Sequence, residues 1–375
     1  MKRTIDNLMG ERRLTASITG SGRKILFIFF LFILLFLLAA ISVAVGPLSI
    51  TVTEVYSIIL QGLFQNPETK HGMVVWEIRI LRMLMGIVAG IALGLAGTII
   101  QGVLKNPLAS PFTLGIAAGA GFGAVIAVIL GVRSIPITGG YIIMGSSFLL
   151  AFIIALFILY LANRIEATPF GIVVIVLVGI AIMWLFAPLN TVVLYLSEVE
   201  TVKEAMFWSV GSLGRTSVDK LKFVIAPILL ACFVFLFSLL IIRKLSDFDA
   251  VSIGVKPENS PNAEVKHTRI LLMAIASIFV ATTVSFTGAI AFIGLVAPHI
   301  AYKTVGKDNR FLLPTSALLG ALILVGADTL ARTIMAPVII PVGVVTSLIG
   351  VPLFIYLLIN KNNTRYFEKL EWMII

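Results

Sequence analysis

Two arginines stand close together just before a long apolar stretch of this chain. Arg79 and Arg82 are three residues apart, so they share one face if the segment is helical. A guanidinium group binds carboxylates through paired hydrogen bonds, which makes the pair a candidate docking point for acidic groups of another protein. Arginines at a helix start also anchor helices to lipid headgroups, and the spacing alone favours that anchoring role.

A third arginine lies near the end of a later apolar stretch. Arg332 follows Asp328 by four residues, a spacing that makes the two side chains neighbours on a helix. Charged groups inside apolar runs rarely face lipid. The spacing therefore favours a structural ion pair, and it leaves open that Arg332 is a further cation beside Arg79 and Arg82.

Small residues recur along the stretch that follows Arg82. Glycines occupy positions 86, 90, 94 and 97. Such a ridge lets another helix approach closely, so helix packing is the favoured interpretation. A substrate path lined by small residues would give the same pattern.

Two prolines interrupt the chain after this ridge. Asn106-Pro107 and Ser110-Pro111 flank two small or apolar residues. Proline lacks a backbone N–H and ends or kinks a helix. The apolar character of the residues between the prolines predicts a packed loop rather than a solvated one.

A later polar loop, about residues 243–268, carries a short apolar pattern beside two acidic residues. The segment includes Leu245, Asp247, Phe248, Ala250 and Ile253, and Gly254 would end a short helix there. Such a turn either lies in lipid headgroups or fits a groove of a cytosolic partner. The composition does not separate these two roles. His299, after Pro298, is more often a packing or capping residue than a proton relay.

The composition defines the class of protein in which these residues must work. Of the 375 residues, 59% are hydrophobic and 12% are charged, whereas soluble domains average about 45–50% and about 25%. The apolar residues form repeated runs of roughly 20, the length that crosses a bilayer as a helix. The chain is therefore expected to be an all-α, polytopic membrane protein. We find no nucleotide-binding glycine loop, no metal-ligand cluster and no catalytic triad, and no nucleic acid is expected as a partner.

Ten transmembrane helices are predicted, with both termini in the cytoplasm. The eighth is short and reads as a partial helix buried in protein. In this topology 19 of the 28 lysines and arginines fall on the cytoplasmic side, in agreement with the positive-inside rule. We predict a basic cytoplasmic segment at 1–24, a permease domain at 25–360 and a cytoplasmic tail at 361–375. The spans are 25–46, 82–104, 113–131, 141–162, 170–196, 222–242, 269–288, 290–302, 312–333 and 343–360.

Taken together, these stretches resemble the FecCD family, the cobalamin-permease-like subunits of ABC importers for iron–siderophores, haem and cobalamin. The resemblance covers about residues 55–360. It rests on ordered blocks: Arg79-x-x-Arg82, Gly97 with Gln101, Asn106 to Pro111, Leu114-Gly115, Trp208 with Gly211 to Leu213, Gly288 to Leu295, Pro298-His299, Gly306-x-Asp308-x-Arg310, Asp328 with Arg332, Pro341 to Gly343 and Gly350-x-Pro352.

The resemblance implies a permease that hydrolyses nothing itself and binds no cofactor of its own. It would pair with an identical or paralogous permease in the bacterial cytoplasmic membrane. Two copies of a cytosolic ATPase, which use ATP and Mg²⁺, would bind below, and an extracytoplasmic substrate-binding protein would dock above. An iron(III)–siderophore is the expected cargo, with haem or cobalamin as alternatives. A secondary transporter driven by an ion gradient is the competing class, and Asp328 is the one acid well inside a predicted span.

The same resemblance assigns roles to particular residues. Arg79, Arg82 and Arg332 match the positions that receive glutamates of the binding protein. Leu245, Asp247, Phe248, Ala250, Ile253 and Gly254 match the loop that contacts the ATPase. Gly97, Gln101, Asn106, Pro107, Ser110, Pro111 and Gly115 are expected along the translocation path or its packing.

Three positions depart from the family pattern. Leu81 replaces the usual proline between the paired arginines, and Ile339-Ile340 stand where a glutamate is common. Lys303 replaces an arginine shortly after Pro298-His299. These changes affect local contacts, above all the docking geometry, and leave the family resemblance intact.

Overall fold

The computed structural model describes residues 2–62, 69–104, 106–130, 139–165, 171–214 and 262–359. All regular secondary structure in this part of the chain is helical, and no β-strand occurs in it, so the all-α prediction is confirmed. A π-helical segment, Val74–Ile80, stands among the α-helices. The α-helices are α1 (Lys2–Ala44), α2 (Val52–Gly62), α3 (Lys70–Met73), α4 (Leu81–Val103), α5 (Ile116–Ile129), α6 (Gly139–Ile165), α7 (Gly171–Tyr195), α8 (Val199–Val210), α9 (Asn262–Thr287), α10 (Ile293–Val305), α11 (Asn309–Thr333) and α12 (Val342–Ile359).

Nine of the ten predicted spans coincide with helices of the structure, namely α1, α4 to α7 and α9 to α12. The sixth predicted span, 222–242, lies outside the described residues. The helices α2, α3 and α8 are short additions between spans. The division into 1–24, 25–360 and 361–375 stays a prediction, because α1 runs unbroken from Lys2 to Ala44 and the tail is not described.

Six helical stretches in the described ranges are long and apolar enough to cross a membrane, and α5 and α12 are shorter apolar helices. The protein is therefore a multi-pass membrane protein. The six stretches are Ser21–Ala44, Lys70–Val103, Ile142–Leu161, Val173–Tyr195, Ile270–Thr287 and Asn309–Thr333.

Helix α4 forms the centre of the bundle. It packs against α9, α10 and α11, and 78% of its most apolar window is buried, against 17% for α1. The glycine ridge of α4 makes this contact possible. A methyl group on Gly90 would stand 2.5 Å from the Cα of Ala321 on α11, so these two helices approach backbone to backbone, as the small-residue spacing predicted.

The bundle has two distinguishable ends. At the first, the arginine end, α1 and α11 finish near each other and α4 begins: the side chain of Arg332 reaches Ser42 there. At the opposite end, the ammonium group of Lys24 lies 5.0 Å above the ring of Phe311. Helices α1 and α11 therefore run side by side in the same direction, and α4 runs against them.

The short helix α10 begins inside the bundle rather than at one of its ends. Gly294, in its first turn, packs on Leu93 and Pro111. Phe292, just before it, has a positive φ of 69°, which breaks the helix between α9 and α10. Nine of the thirteen residues of α10 are buried. The predicted partial helix is thus present and enclosed by protein, the setting in which a broken helix is tolerated.

Candidate functional site

Arg79 occupies the end of the π-helical segment that leads directly into α4. π-Turns are rare and are frequent at functional sites. The side chain of Arg79 is 2% exposed, and its guanidinium donates to three carbonyl oxygens. Nη1 reaches Val43 at 3.1 Å and Ala44 at 2.8 Å, and Nη2 reaches Leu48 at 2.6 Å. A helix leaves its last four carbonyls without internal partners, so Arg79 caps α1.

Arg82 lies in the first turn of α4 and binds Asp328 of α11. Its Nε is 2.8 Å and 3.0 Å from the two carboxylate oxygens, and Nη2 is 2.7 Å from Oδ1. Both residues are buried, with 3% and 1% exposed. Gly214 leaves space for this guanidinium, since a methyl group there would stand 2.8 Å from Nη1.

Arg332 connects the same carboxylate to the end of α1. Its Nε is 3.0 Å from Oδ2 of Asp328, so the ion pair predicted from the spacing is present. Nη2 donates to the carbonyl oxygen and the hydroxyl of Ser42 at 3.0 Å and 2.8 Å, and Nη1 donates to the carbonyl oxygen of Val45 at 3.1 Å. Arg332 is 2% exposed.

These four residues, Arg79, Arg82, Asp328 and Arg332, form one arginine cluster at the arginine end. Asp328 joins Arg82 to Arg332, and the end of α1 joins Arg332 to Arg79. The sequence left two roles open for Arg332: an ion pair with Asp328, or a third cation beside Arg79 and Arg82. In the structure Arg332 makes the ion pair and also lies in the same cluster as the other two arginines. Because the three guanidiniums are buried on internal acceptors, an external carboxylate has to replace one of those acceptors. Docking at these arginines stays a prediction.

The proline-containing break after α4 forms a packed turn. The backbone N–H of Asn106 donates to the carbonyl of Gln101 at 3.1 Å, and the Asn106 side chain accepts from the N–H of Leu108 at 2.9 Å. Gln101 donates its amide to the carbonyl of Leu295 on α10 at 3.3 Å. Pro107 lies within this turn and is half-buried. The bond from Gln101 joins α4 to α10, and of the two residues between Pro107 and Ser110, Ala109 is buried and Leu108 is exposed, so the packed loop is confirmed only in part.

Ser110 starts the second part of the break and pairs with Thr113. The N–H of Ser110 donates to Oγ1 of Thr113 at 2.8 Å, and the N–H of Thr113 donates to Oγ of Ser110 at 3.1 Å. Ser110 and Pro111 also line a cavity of about 10 Å³ between α4, α9 and α10. That volume is about the minimum for one water molecule, far below the size of a metal chelate.

Gly97 and Gly115 are points of close packing. A methyl group on Gly97 would overlap the carbonyl of Gly294 on α10. Gly115 has a φ of 75°, and a methyl group there would stand 2.7 Å from the side chain of Ile182 on α7. These contacts explain both glycines by packing. A role of the seven predicted path residues in translocation stays a prediction.

The six residues predicted to contact the ATPase lie outside the described residues: Leu245, Asp247, Phe248, Ala250, Ile253 and Gly254. His299 is described and is buried in α10, with 6% exposed. Its Nε2 has no hydrogen-bond partner within the described ranges. Over the same ranges, no group of three or more His, Cys, Asp and Glu side chains could hold a metal ion.

Sequence reasoning missed the partners that the arginines bind at the end of α1. Most of these acceptors are backbone carbonyls, which carry no residue-type signal. The one side chain among them, the Ser42 hydroxyl, is a polar group within an apolar run and was the available clue. The ion pair between Glu54 and His71, with 2.6 Å between Oε1 and Nδ1, was also missed; it joins α2 to α3 at a half-exposed position.

Comparison with known proteins supports the resemblance seen in the sequence. Residues 32–360 match the model of the FecCD transport family. The chain is 34% identical to the hemin transport system permease protein HmuU of Yersinia pestis, over 90% of this chain and 96% of that protein. It is 37% identical to the Fe(3+)-citrate import system permease protein YfmE of Bacillus subtilis, over 90% and 95%. Cobalamin import permeases match as well.

The fold has a counterpart among solved structures. An ABC transporter assigned to the metal-chelate type, in an inward-facing conformation, superposes with a TM-score of 0.68. The two chains share 27% identity over 88% of this chain and 98% of the other. The family match covers most of the sequence, and the relatives are permease proteins of transport systems. The chain therefore belongs to the FecCD transport family, as the membrane permease subunit of an ABC importer rather than as an enzyme.

Proposed function

We propose that this permease carries an iron(III)–siderophore across the cytoplasmic membrane. The observation that carries the proposal is the match over residues 32–360 to a family whose members include permeases named for hemin and for Fe(3+)-citrate. These cargoes share a metal ion wrapped in an organic ligand. Haem and cobalamin belong to the same broad class of cargo and are the alternatives.

The permease supplies the path, and a separate ATPase hydrolyses ATP. We assign the loop 243–268 to the contact with that ATPase, two copies of which would serve the complete importer. The residues we expect there are Leu245, Asp247, Phe248, Ala250, Ile253 and Gly254. ATP and Mg²⁺ would be used by the ATPase, and this chain would bind no cofactor itself. Movement of the loop would then be passed to the helices and give alternating access.

A second permease subunit, identical or paralogous, would complete the path. The described cavity beside Ser110 and Pro111, at about 10 Å³, is too small for a chelate. The family resemblance leads us to expect a route of sufficient width between two permeases. The predicted path residues in the break after α4 are Asn106, Pro107, Ser110 and Pro111. They would change position when α4 moves against α10.

The arginine cluster would receive the substrate-binding protein. Three guanidiniums and one carboxylate give this end of the bundle an excess of positive charge. Carboxylates bind guanidinium groups in a forked geometry, so acidic groups of the binding protein are the complementary partner. This role places the arginine end outside the cell. Both termini would then lie in the cytoplasm, as the positive-inside rule also favours.

An ion-coupled secondary transporter is the competing mechanism, and the structure removes its main candidate residue. Asp328 is held by Arg82 and Arg332. A carboxylate in two such ion pairs is not a free ligand for a transported cation. We therefore favour transport powered by ATP.

The test is uptake by the complete importer in proteoliposomes. Iron(III)–siderophores, haem and cobalamin would be offered separately, each with the substrate-binding protein of the same importer and with ATP enclosed. The proposal expects saturable uptake of an iron(III)–siderophore only when wild-type ATPase and ATP are both present. A matched preparation with an ATPase unable to hydrolyse ATP is the control.

Two results would contradict the proposal in different ways. Uptake of cobalamin or haem without any uptake of iron(III)–siderophores would make the cargo assignment wrong. Uptake that continues with the inactive ATPase, or after disruption of residues 245–255, would point instead to an ion gradient as the source of energy.

A further inference from the structure

The segment Ser42–Leu48 covers the arginine cluster. It consists of the last turn of α1 and the four residues that follow. Arg79 and Arg332 each donate three hydrogen bonds to it, and five of the six acceptors are backbone carbonyls. The position in front of these two guanidiniums is therefore already occupied by a segment of the chain itself.

The acceptors supplied by this segment are neutral. The cluster holds three guanidiniums and the carboxylate of Asp328, and among the described residues the other two formal positive charges face only carbonyls, one hydroxyl and the partial negative charge of a helix end. The bonds to these carbonyls are charge-assisted on the guanidinium side only, whereas a carboxylate is ionised as well and can bind a guanidinium through a forked pair of hydrogen bonds. Arg79 Nε is moreover buried without a hydrogen-bond partner among the described residues. A carboxylate is thus a better partner for Arg79 and Arg332 than the segment is.

The end of α1 is held by apolar packing as well as by these hydrogen bonds, because Val43 lies in a buried apolar cluster with Ile50, Val55 and Val75. Helix α1 packs mainly along α11, and 17% of its most apolar window is buried. Gly46 faces the guanidinium of Arg79: a methyl group on Gly46 would stand 2.9 Å from Nε, so an alanine there forces the segment and the guanidinium slightly apart. Displacement of the segment therefore has to break its hydrogen bonds to Arg79 and Arg332, and the apolar packing of Val43 limits how far the end of α1 moves.

We propose that the segment Ser42–Leu48 is a built-in competitor for the docking site. It occupies Arg79 and Arg332 while no binding protein is present, and carboxylates of the substrate-binding protein displace it. Asp328 stays in place and acts as a positioning residue for Arg82 and Arg332. Docking thereby moves the end of α1. This inference rests on the proposed docking role of the arginines.

The first test weakens the competitor without changing any charge. Gly46→Ala pushes the segment away from Arg79, and Ser42→Ala removes one acceptor from Arg332 without adding bulk. The affinity of the substrate-binding protein of the same importer would be measured for the complete importer in lipid nanodiscs. Both variants are expected to bind it more tightly, by about tenfold, the scale of one hydrogen bond to a charged group.

Gly22→Ala is the matched control, because nothing lies within 4 Å of a methyl group at that position of the same helix; its affinity should equal that of the wild type. Unchanged or weaker binding by both Gly46→Ala and Ser42→Ala would overturn the proposal that the segment competes for the docking site.

Arg79→Lys separates this failure from failure of docking itself. If Arg79→Lys leaves the affinity unchanged, the docking role is wrong; if it lowers the affinity while the other two variants do not raise it, only the competitor is wrong.

The second test follows the displacement directly. Spin labels would be placed at Ile41 on α1 and Leu330 on α11, two exposed positions outside the cluster, after replacement of the native Cys232 by serine. Addition of the binding protein should weaken the dipolar coupling between the labels as the end of α1 moves away. An unchanged coupling at saturating binding protein would overturn the proposal.

Discussion

Asp328 binds Arg82 across 246 positions of the sequence and forms a forked, buried contact between α11 and α4. The same carboxylate also binds Arg332 one turn further along α11. One acidic residue thus orients two of the three cations that define the arginine end. The cluster holds the fold together whether or not a binding protein docks there.

Replacement of Asp328 by asparagine is expected to destabilise the protein. The substitution removes the only carboxylate of the cluster and leaves two buried guanidiniums without a counter-charge, which typically costs about 3–5 kcal/mol. The measurement is the free energy of unfolding in mixed micelles.

Glu54→Gln is the control, because it removes the negative charge that faces His71 at a half-exposed position. Exposed pairs contribute about 0–1 kcal/mol, so this variant should unfold almost like the wild type. Equal, small effects of the two substitutions would show that the buried cluster does not stabilise the bundle.

Arg79→Lys is expected to weaken docking while the fold is kept. Lysine preserves the positive charge and can still donate to carbonyls at the end of α1, but it cannot form the forked contact with a carboxylate. We expect the affinity for the substrate-binding protein to fall by roughly ten- to hundredfold, the scale of one charge-assisted hydrogen bond. A charge reversal is a poorer test, because a glutamate at position 79 would face the carbonyl oxygens of Val43, Ala44 and Leu48.

Arg164→Lys provides the comparison for this variant. Arg164 lies in the last turn of α6, where it stacks against Tyr160, well away from the cluster in sequence and in contacts. The same chemical change there should leave the affinity unaltered. A loss of affinity in both variants, or in neither, would speak against a specific role of Arg79.

Gly90→Ala is expected to separate α4 from α11. The added methyl group would meet the backbone of Gly320 and Ala321 at 2.5 Å, where no flexible side chain can move aside. Overpacking of this kind costs about 1–3 kcal/mol. Gly145→Ala on α6 has nothing within 4 Å of the new methyl group and should be neutral or slightly stabilising, because alanine favours helix. Similar unfolding midpoints for the two variants would contradict the close contact.

The spacing of residue types predicted the parts of this molecule that depend on side-chain size and apolar length. The ridge of glycines in α4 predicted a close helix contact, and Gly90 against Ala321 confirms it. The run length of apolar residues predicted the helices. The four-residue spacing of Asp328 and Arg332 predicted their ion pair. Each of these rests on helix geometry and needs no knowledge of distant partners.

The remaining features depend on contacts that residue types do not encode. Arg79 caps α1 through the carbonyls of Val43 and Ala44, and any residue supplies a carbonyl. The pairing of Arg82 with Asp328 spans most of the chain. The π-helical segment before α4 has no characteristic amino-acid composition by which it could be recognised in the sequence. The burial of Arg79 and Arg82 therefore could not be predicted from the sequence, because their spacing favoured lipid anchoring and the family resemblance favoured docking.

Thr113→Val is expected to loosen the entry into α5. Valine has nearly the shape of threonine, but it cannot accept the hydrogen bond from the N–H of Ser110 or share the reciprocal contact with its hydroxyl. Leaving these partly buried groups unpaired should cost about 1–3 kcal/mol of unfolding free energy. Thr191→Val is the matched control: the Thr191 hydroxyl is exposed and donates only within its own helix, to Ala187, so a change within about 0.5 kcal/mol is expected.

If the break after α4 belongs to the translocation path, Thr113→Val should also slow uptake by the reconstituted importer, whereas Thr191→Val should not. Equal stability and equal uptake in the two variants would mean that the hydroxyl pair holds neither the turn nor the path.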